Sequence, residues 1–362
     1  MSLSIQVRKR LSPSFVVDVA FAASPGVTIV FGESGSGKTT LLRCVAGLAR
    51  PDDGAIVIGN RVLFDRARGI NVETARRRAG FVFQHLALFP HLTVARNIEY
   101  GLSEIATAER QTRAAAIAES FRIGHLLHRR PVEISGGERQ RVGLARSLVT
   151  DPEVLLLDEP LSALDHATQS RIIADLRQWN EVRGIPILYV THSQREVFAL
   201  GDRVLVLQDG AVIADGTPHD VMNAPSHEGL AQLAGFENFL DAVVVNRRPA
   251  AGVMVSRLNG APVELETPIA DFQVGAAVRI AIRAGDILIA TERPRGLSAR
   301  NVVSGTVASL SREGSAVTVR VDIGALLEVH VTPSASEELD LGPGRPVWVV
   351  VKTHSCRPVS EI

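Results

Sequence analysis

Val27-Thr28-Ile29-Val30-Phe31 runs without a break into Gly32-Glu33-Ser34-Gly35-Ser36-Gly37-Lys38-Thr39-Thr40. The apolar, β-branched run predicts a buried strand, and the pattern from 37 to 47 predicts a helix. Between them, glycines hold three of the first six loop positions, so the backbone is free to turn several N–H groups toward one centre. Strand, glycine loop and helix in this order form the context in which a phosphate-binding loop works. The helix start adds partial positive charge, Lys38 reaches the terminal phosphates, and the Thr39 hydroxyl suits Mg²⁺. The chain contains only three lysines, Lys9, Lys38 and Lys352. In such a composition the pattern G-x4-G-K-[ST] arises by accident in roughly two of a thousand chains. A nucleoside triphosphate is therefore the expected ligand.

Working outward, apolar runs at 154–157 (VLLL), 187–190 (ILYV) and 204–207 (VLVL) read as further buried strands, and 137–149 and 169–182 as helices. Strand-helix alternation predicts an α/β domain with a largely parallel sheet over about residues 1–235. The strand signal vanishes over about 86–150, where Ala-rich charged segments such as 106–121 predict a helical insertion. From 239 to 362 the period changes to two, as at 278–282, 305–310, 316–321 and 347–351, predicting a separate all-β domain of OB-like barrel type. Two subsegments, 239–292 and 298–357, flank Pro294-Arg295-Gly296; they are either halves of one barrel or two copies of a unit.

Composition narrows the function. With 362 residues, 46% hydrophobic and 22% charged, the chain is a folded globular protein and not a disordered or low-complexity one. Lys+Arg and Asp+Glu are both 39, so nucleic acid is not an expected partner. Two cysteines, Cys44 and Cys356, cannot make a disulfide framework, and no apolar run approaches the roughly 20 residues that cross a bilayer. The opening MSLSIQVRKRLSPSF lacks the apolar stretch of a secretory signal, which makes the cytoplasm the expected compartment.

Two acids, Asp158 and Glu159, end the 154–157 strand, where α/β sheets bind ligands. Asp158 is suited to Mg²⁺ and Glu159 to polarising an attacking water. Upstream, Ser135-Gly136-Gly137-Glu138 places glycines before a second helix and makes a second anion-ready helix start, 23 residues before Asp158.

With these motifs in this order the chain resembles the ATPase subunits of ATP-binding cassette (ABC) transporters. Ile134-Ser135-Gly136-Gly137-Glu138 corresponds to their LSGGQ-like signature, with Ile for Leu and Glu for Gln. The resemblance implies that Gln84, in Phe83-Gln84-His85, touches metal and water and senses the membrane partner. It implies that Asp165, in Ser162-Ala163-Leu164-Asp165, belongs to the D-loop, and that His192, in Thr191-His192-Ser193, is the switch histidine. It also implies a head-to-tail homodimer with ATP between the phosphate loop of one subunit and the signature loop of the other. The adenine is expected on Phe15, with Phe21 as the alternative.

Gln84 and Ser135 are 51 positions apart, too few for the coiled-coil arm of the DNA-repair and chromosome-structure relatives. Leu88-Phe89-Pro90-His91-Leu92-Thr93-Val94 resembles the surface of import ATPases that receives a helix from the membrane subunit; the alternative is that it packs inside the insertion. Two separate integral membrane permease subunits would supply the pore, fed by a periplasmic binding protein, with this chain at the cytoplasmic side of the inner membrane.

In the tail, 297–310 and 344–352 resemble the molybdate-binding type of barrel (a Mop-like unit, about 298–357) found on molybdate importer ATPases. Ser298, Arg300, Asn301 and Lys352 are chemically suited to an oxyanion such as molybdate; the alternative for Ser298–Asn301 is a turn that opens a strand. The implied function is ATP hydrolysis coupled to molybdate import. Sulfate, a polyamine, iron or a sugar as cargo, or a soluble oxyanion sensor, are the competing readings.

Overall fold

The computed structural model describes residues 2–360 apart from 224, 227 and 315. The chain forms two compact units, Met1–Val221 and Met222–Ile362.

The first unit is built on a six-stranded sheet in the order Ala211–Gly216, Arg203–Gln208, Gly26–Phe31, Pro186–Thr191, Val154–Asp158, Ala79–Val82. All neighbours are parallel except the first pair. Val154–Asp158 and Pro186–Thr191 are buried along their whole length, which is why they read as continuous apolar runs without alternation. Parallel register aligns their carboxyl ends: Phe31 lies opposite Thr191, Asp158 opposite Val190, and Val82 opposite Leu157. The residues that follow, Gly32, His192, Glu159 and Gln84, therefore leave the sheet along one edge.

A second, antiparallel sheet was not foreseen from the strand-helix alternation. It runs Val16–Ala23, Leu3–Arg10, Asp53–Ile58, Arg61–Asp65, Ile70–Asn71. Leu3, Ile5 and Val7 are buried while Ser4, Gln6 and Arg8 are exposed, so one face is apolar and one wet. That apolar face shares a core with Leu41, Leu42 and Val45 of the helix Lys38–Ala46. The far end of this helix is closed by a fully buried arginine: Arg77 donates to the Cys44 and Val45 carbonyls at 2.8 and 2.9 Å. A cation there complements the negative end of the helix.

Between Ala79–Val82 and Val154–Asp158 no strand occurs among the described residues; the helices Val94–Glu99, Thr107–Ser120 and Gly136–Leu148 fill the interval. No helix of the described residues is long and apolar enough to cross a membrane.

The second unit has two five-stranded antiparallel sheets. One runs Glu264–Pro268, Val253–Leu258, Asn238–Arg248, Ala277–Ile282, Arg357–Val359, and the other Leu288–Ala290, Pro346–Val351, Asn301–Glu313, Ala316–Asp322, Leu326–Val331. The last strand of the chain thus closes the first sheet, and Leu288–Ala290 opens the second. Leu240, Val244 and Ile280 share a single core with Val319, Val329 and Val349. The subsegments 239–292 and 298–357 repeat one strand order, Asn238–Arg248 being matched by Asn301–Glu313 and Ala277–Ile282 by Pro346–Val351, and each passes its last strand to the other's sheet, so both alternatives hold: they are two copies of a unit that share one core.

Candidate active site

Gly32 ends the Gly26–Phe31 strand at φ +154°, and a β-carbon there would lie 2.2 Å from the Leu207 carbonyl oxygen. Only glycine lets the loop leave the sheet so close to its neighbour. Gly37, at φ +102°, starts the helix Lys38–Ala46 without a side-chain cap, so the leading N–H groups stay available to an anion. Ser36 Oγ is buried and has no hydrogen-bond partner among the described residues, an orphan that an oxyanion in the loop would satisfy. Glu33, Ser34 and Gly35 form the exposed rim, and Thr40 is half-buried on the first helical turn.

Lys38 is buried, and its ammonium donates to the Gly32 and Glu33 carbonyls at 2.9 and 2.6 Å. Burial pushes its pKa down, opposed by the charges of Glu159, Asp158 and Glu33. On the first turn of the helix, the Thr39 hydroxyl donates to Asp158 Oδ1 at 3.0 Å. Burial pushes the Asp158 carboxyl up, and this hydrogen bond pulls it back down. A hydroxyl and a carboxylate so close together form a hard oxygen donor set that fits Mg²⁺.

Glu159 follows Asp158 in a left-handed conformation, φ +44°, with its N–H bonded to the Val190 carbonyl at 3.1 Å. This is an uncommon state for a residue with a side chain, and it turns the carboxylate to the ligand edge. Gln84 Nε2 donates to Glu159 Oε2 at 3.3 Å, and His192 Nδ1 lies 3.2 Å from Glu159 Oε1. Their strands are neighbours with that of Glu159 in the middle, so sheet order alone brings three distant residues onto one carboxylate.

A buried pair that the sequence reading missed braces this arrangement. The Tyr189 hydroxyl donates to Glu196 Oε2 at 2.9 Å, spanning the turn that carries His192. The available signal was a phenol in an otherwise aliphatic strand with an acid seven residues later.

Ser135 caps the helix Gly136–Leu148 through a capping box. Its hydroxyl accepts from Glu138 N at 3.3 Å, and Glu138 Oε2 accepts from Ser135 N and Oγ at 2.7 and 2.8 Å. These bonds hold the Glu138 carboxyl below its usual range. A β-carbon on Gly137 would come within 2.6 Å of Thr168 Cγ2, and one on Gly136 within 3.6 Å of Leu164 Cδ2. The signature turn therefore lies against the start of the helix His166–Arg183, which Asp165 caps by accepting from Thr168 N at 3.0 Å.

Phe15 is half-buried, and its ring atoms lie 3.8 Å from where a Gly37 β-carbon would stand. Phe21 is six residues, roughly 20 Å of strand, further on and lies opposite Ile5. Of the two aromatics, Phe15 is the one beside the loop.

After Gln84, Leu88 and Phe89 are half-buried and Pro90 and His91 exposed. The Phe89 ring packs on Tyr100 with centroids 4.4 Å apart, and Tyr100 is 59% exposed. This makes an aromatic surface patch.

In the second unit, Ser298, Arg300 and Lys352 are exposed. Asn301 corrects the sequence reading. It is buried, accepts from Glu266 N at 2.7 Å, and donates to Glu266 O and Cys356 Sγ at 2.9 and 3.3 Å. Its amide is consumed in tying two strands together and is not available to an anion.

Residues 17–162 match the ABC transporter family and residues 297–358 the TOBE domain. The molybdenum import ATP-binding protein ModC of Mesorhizobium japonicum is 41% identical over 98% of this chain and 96% of its own length. The protein of that name from Rhizobium meliloti is 40% identical over 98% of this chain and 99% of its own. A dimeric bacterial ABC transporter cassette, MJ0796, is 29% identical and superposes with a TM-score of 0.52, covering 60% of this chain and 99% of the cassette. The same cassette in a dimeric post-hydrolysis state bound to ADP and Pi gives the same values.

Proposed function

Because the chain belongs to the molybdenum import ATP-binding proteins of the ABC transporter family, we propose that it is the ATP-hydrolysing subunit of a bacterial molybdate importer, with Glu159 as the residue that activates water. The observation that carries this is the convergence of Gln84 and His192 on the Glu159 carboxylate, at the sheet edge that also bears Lys38, Thr39 and Asp158.

Lys38 exchanges its two loop carbonyls for phosphate oxygens, and the N–H groups of Gly32 to Thr40 complete the cradle. Thr39, Asp158 and the Gln84 amide would hold Mg²⁺, which would neutralise charge developing on the phosphates. Glu159 orients the attacking water and draws its proton, while His192 fixes the free carboxylate oxygen. Phe15 offers the adenine a stacking face.

One helix start neutralises only part of a triphosphate, so two chains pair head to tail. Ser135, Gly136, Gly137 and Glu138 of one protomer then face the phosphate loop of its partner, with Asp165 beside them. That the cassettes named above are dimeric supports pairing of two chains. The patch around Phe89, within 88–94, receives a membrane permease subunit on the cytoplasmic face of the inner membrane, and a periplasmic binding protein acts through that subunit. In the tail, Ser298, Arg300 and Lys352 are the remaining candidates for molybdate, since Asn301 is engaged.

The test is uptake in vesicles holding the cassette, its permease and internal ATP. Molybdate accumulation that stops with the Glu159→Gln variant is expected. ATP hydrolysis coupled to sulfate but not molybdate would move the cargo, and no hydrolysis at all would remove the function.

A further inference from the structure

We propose that Arg146 is a strut that couples the permease-facing segment after Gln84 to the signature helix. This rests on the reading of 88–94 as the docking surface. Arg146 lies in the helix Gly136–Leu148, eleven residues, roughly 16 Å, from the Ser135 cap. Its guanidinium donates to the Leu86 and Ala87 carbonyls, each at 2.7 Å, and sits 5.7 Å from the centroid of the Phe89 ring. Among the described residues no carboxylate pairs with it. A half-buried cation with two carbonyls and one ring as partners does not give them up cheaply.

The segment it grips is strained. Leu86 and Ala87 are consecutive left-handed residues, φ +55° and +46°, neither of them glycine. Such a pair persists only where surrounding contacts enforce it. Arg146 supplies two of those contacts, and Gly143 of the same helix leaves the room Leu86 occupies: a β-carbon there would be 3.2 Å from Leu86 Cδ2.

The other end of the segment is fixed as well. Asn97 Oδ1 accepts from Phe89 N at 2.8 Å, and its Nδ2 donates to the Phe89, Leu92 and Thr93 carbonyls at 3.0–3.2 Å. Residues 86–93 therefore form a short rigid piece, clamped on one side to the helix Val94–Glu99 and on the other to the helix that begins at the signature turn. A push on Leu88 or Phe89 is delivered through Arg146 to that helix, and two residues upstream of Leu86 it reaches Gln84, which touches Glu159. This gives the membrane partner a mechanical route to both nucleotide-facing elements.

The experiment compares ATP hydrolysis by the cassette alone with hydrolysis by the complete transporter plus loaded binding protein, for wild type, Arg146→Lys and Arg146→Ala. The expected result is a cassette-alone rate within about twofold of wild type and a loss of transporter stimulation of roughly tenfold in Arg146→Ala, within the usual range of coupling between sites. Arg146→Lys keeps charge but loses the fork and falls between. Unchanged stimulation in Arg146→Ala overturns the strut. So does an equal fall in both rates, which marks Arg146 as support for the fold alone. Should Arg146→Ala fail to fold, Arg146→Lys and Arg146→Gln carry the same comparison, and full stimulation in both overturns the proposal. A Leu88→Cys cross-link to the permease separates the two readings. No cross-link in otherwise wild-type protein defeats the docking surface and the strut with it, whereas a normal cross-link with unchanged stimulation in Arg146→Ala defeats the strut only.

Discussion

The Thr39 hydroxyl donates to the Asp158 carboxylate at 3.0 Å, joining residues 119 positions apart in sequence. One stands on the first turn after the phosphate loop and the other at the end of a strand two places away in the sheet. The two side chains proposed for Mg²⁺ are therefore in contact with each other, and each keeps the other satisfied.

Replacing Thr39 with Val removes that donor while preserving shape. The buried Asp158 carboxylate is then short of a partner, at a cost of about 1–3 kcal/mol. Denaturant unfolding of Thr39→Val is expected to show this loss together with a collapse of Mg²⁺-dependent hydrolysis; Thr39→Ser, which retains the hydroxyl, is expected to keep both.

Glu159→Gln retains the contact geometry but not the base. Turnover is expected to fall by roughly 10²–10⁴, the usual contribution of a positioned acid-base group. Nucleotide stays bound and the dimer persists longer by size-exclusion chromatography. A variant that still turns over ATP at the wild-type rate would remove Glu159 from the chemistry.

The capping box at Ser135 makes a pH-dependent prediction. Glu138 is held below its ordinary value near 4.5 by hydrogen bonds from Ser135, so its stabilising contribution is present above that value and is lost as pH falls through the lowered one. Ser135→Ala is expected to cost about 1 kcal/mol at neutral pH. The gap to wild type narrows below pH 4.5, as followed by circular dichroism during acid titration.

Both cysteines are buried, with thiols pushed up by burial to about 11 for Cys44 and about 12 for Cys356. At pH 8 neither supplies thiolate, so native protein is expected to resist a thiol-disulfide reagent until denaturant is added. Because both folded values lie above the ordinary value near 9, their contribution is intact below pH 9 and declines as pH rises toward 11 and 12. Fast labelling of native protein would show that one of these sites opens.

Asn301→Ala leaves the Glu266 backbone N–H and carbonyl without their partner. A loss of about 1–3 kcal/mol is expected in unfolding of the full chain followed by fluorescence, with Trp348 reporting on the second unit. Molybdate affinity of the folded variant stays unchanged, whereas Arg300→Ala lowers it if the tail binds the anion. A selective loss of anion binding in Asn301→Ala would restore Asn301 to the site.

The phosphate loop, the paired acids and the signature turn were legible because each is local: a run of strand formers, a cluster of glycines, and a helix start lie within a dozen residues. The helical insertion was legible for the same reason, as a stretch where period two and apolar runs both stop. The antiparallel sheet around Leu3–Arg10 was not. Its alternating face is short and charged at one end, and its partners, Val16–Ala23 and Asp53–Ile58, come from either side of the phosphate loop. Asn301 read as an anion ligand because polarity near a strand start looks the same whether it faces solvent or the backbone of Glu266.

From the order of residues alone came the expected chemistry, with Lys38 and its glycines proposed for phosphate and Glu159 for water, and the finding that a β domain follows. Only the folded chain decided that Gln84 and His192 meet on one carboxylate, that Arg146 grips Leu86 and Ala87, and that the two halves of the tail exchange edge strands. Local propensity is set by neighbours in sequence, whereas these contacts depend on strand order and register between segments tens of residues apart. That information exists only once the sheets have formed.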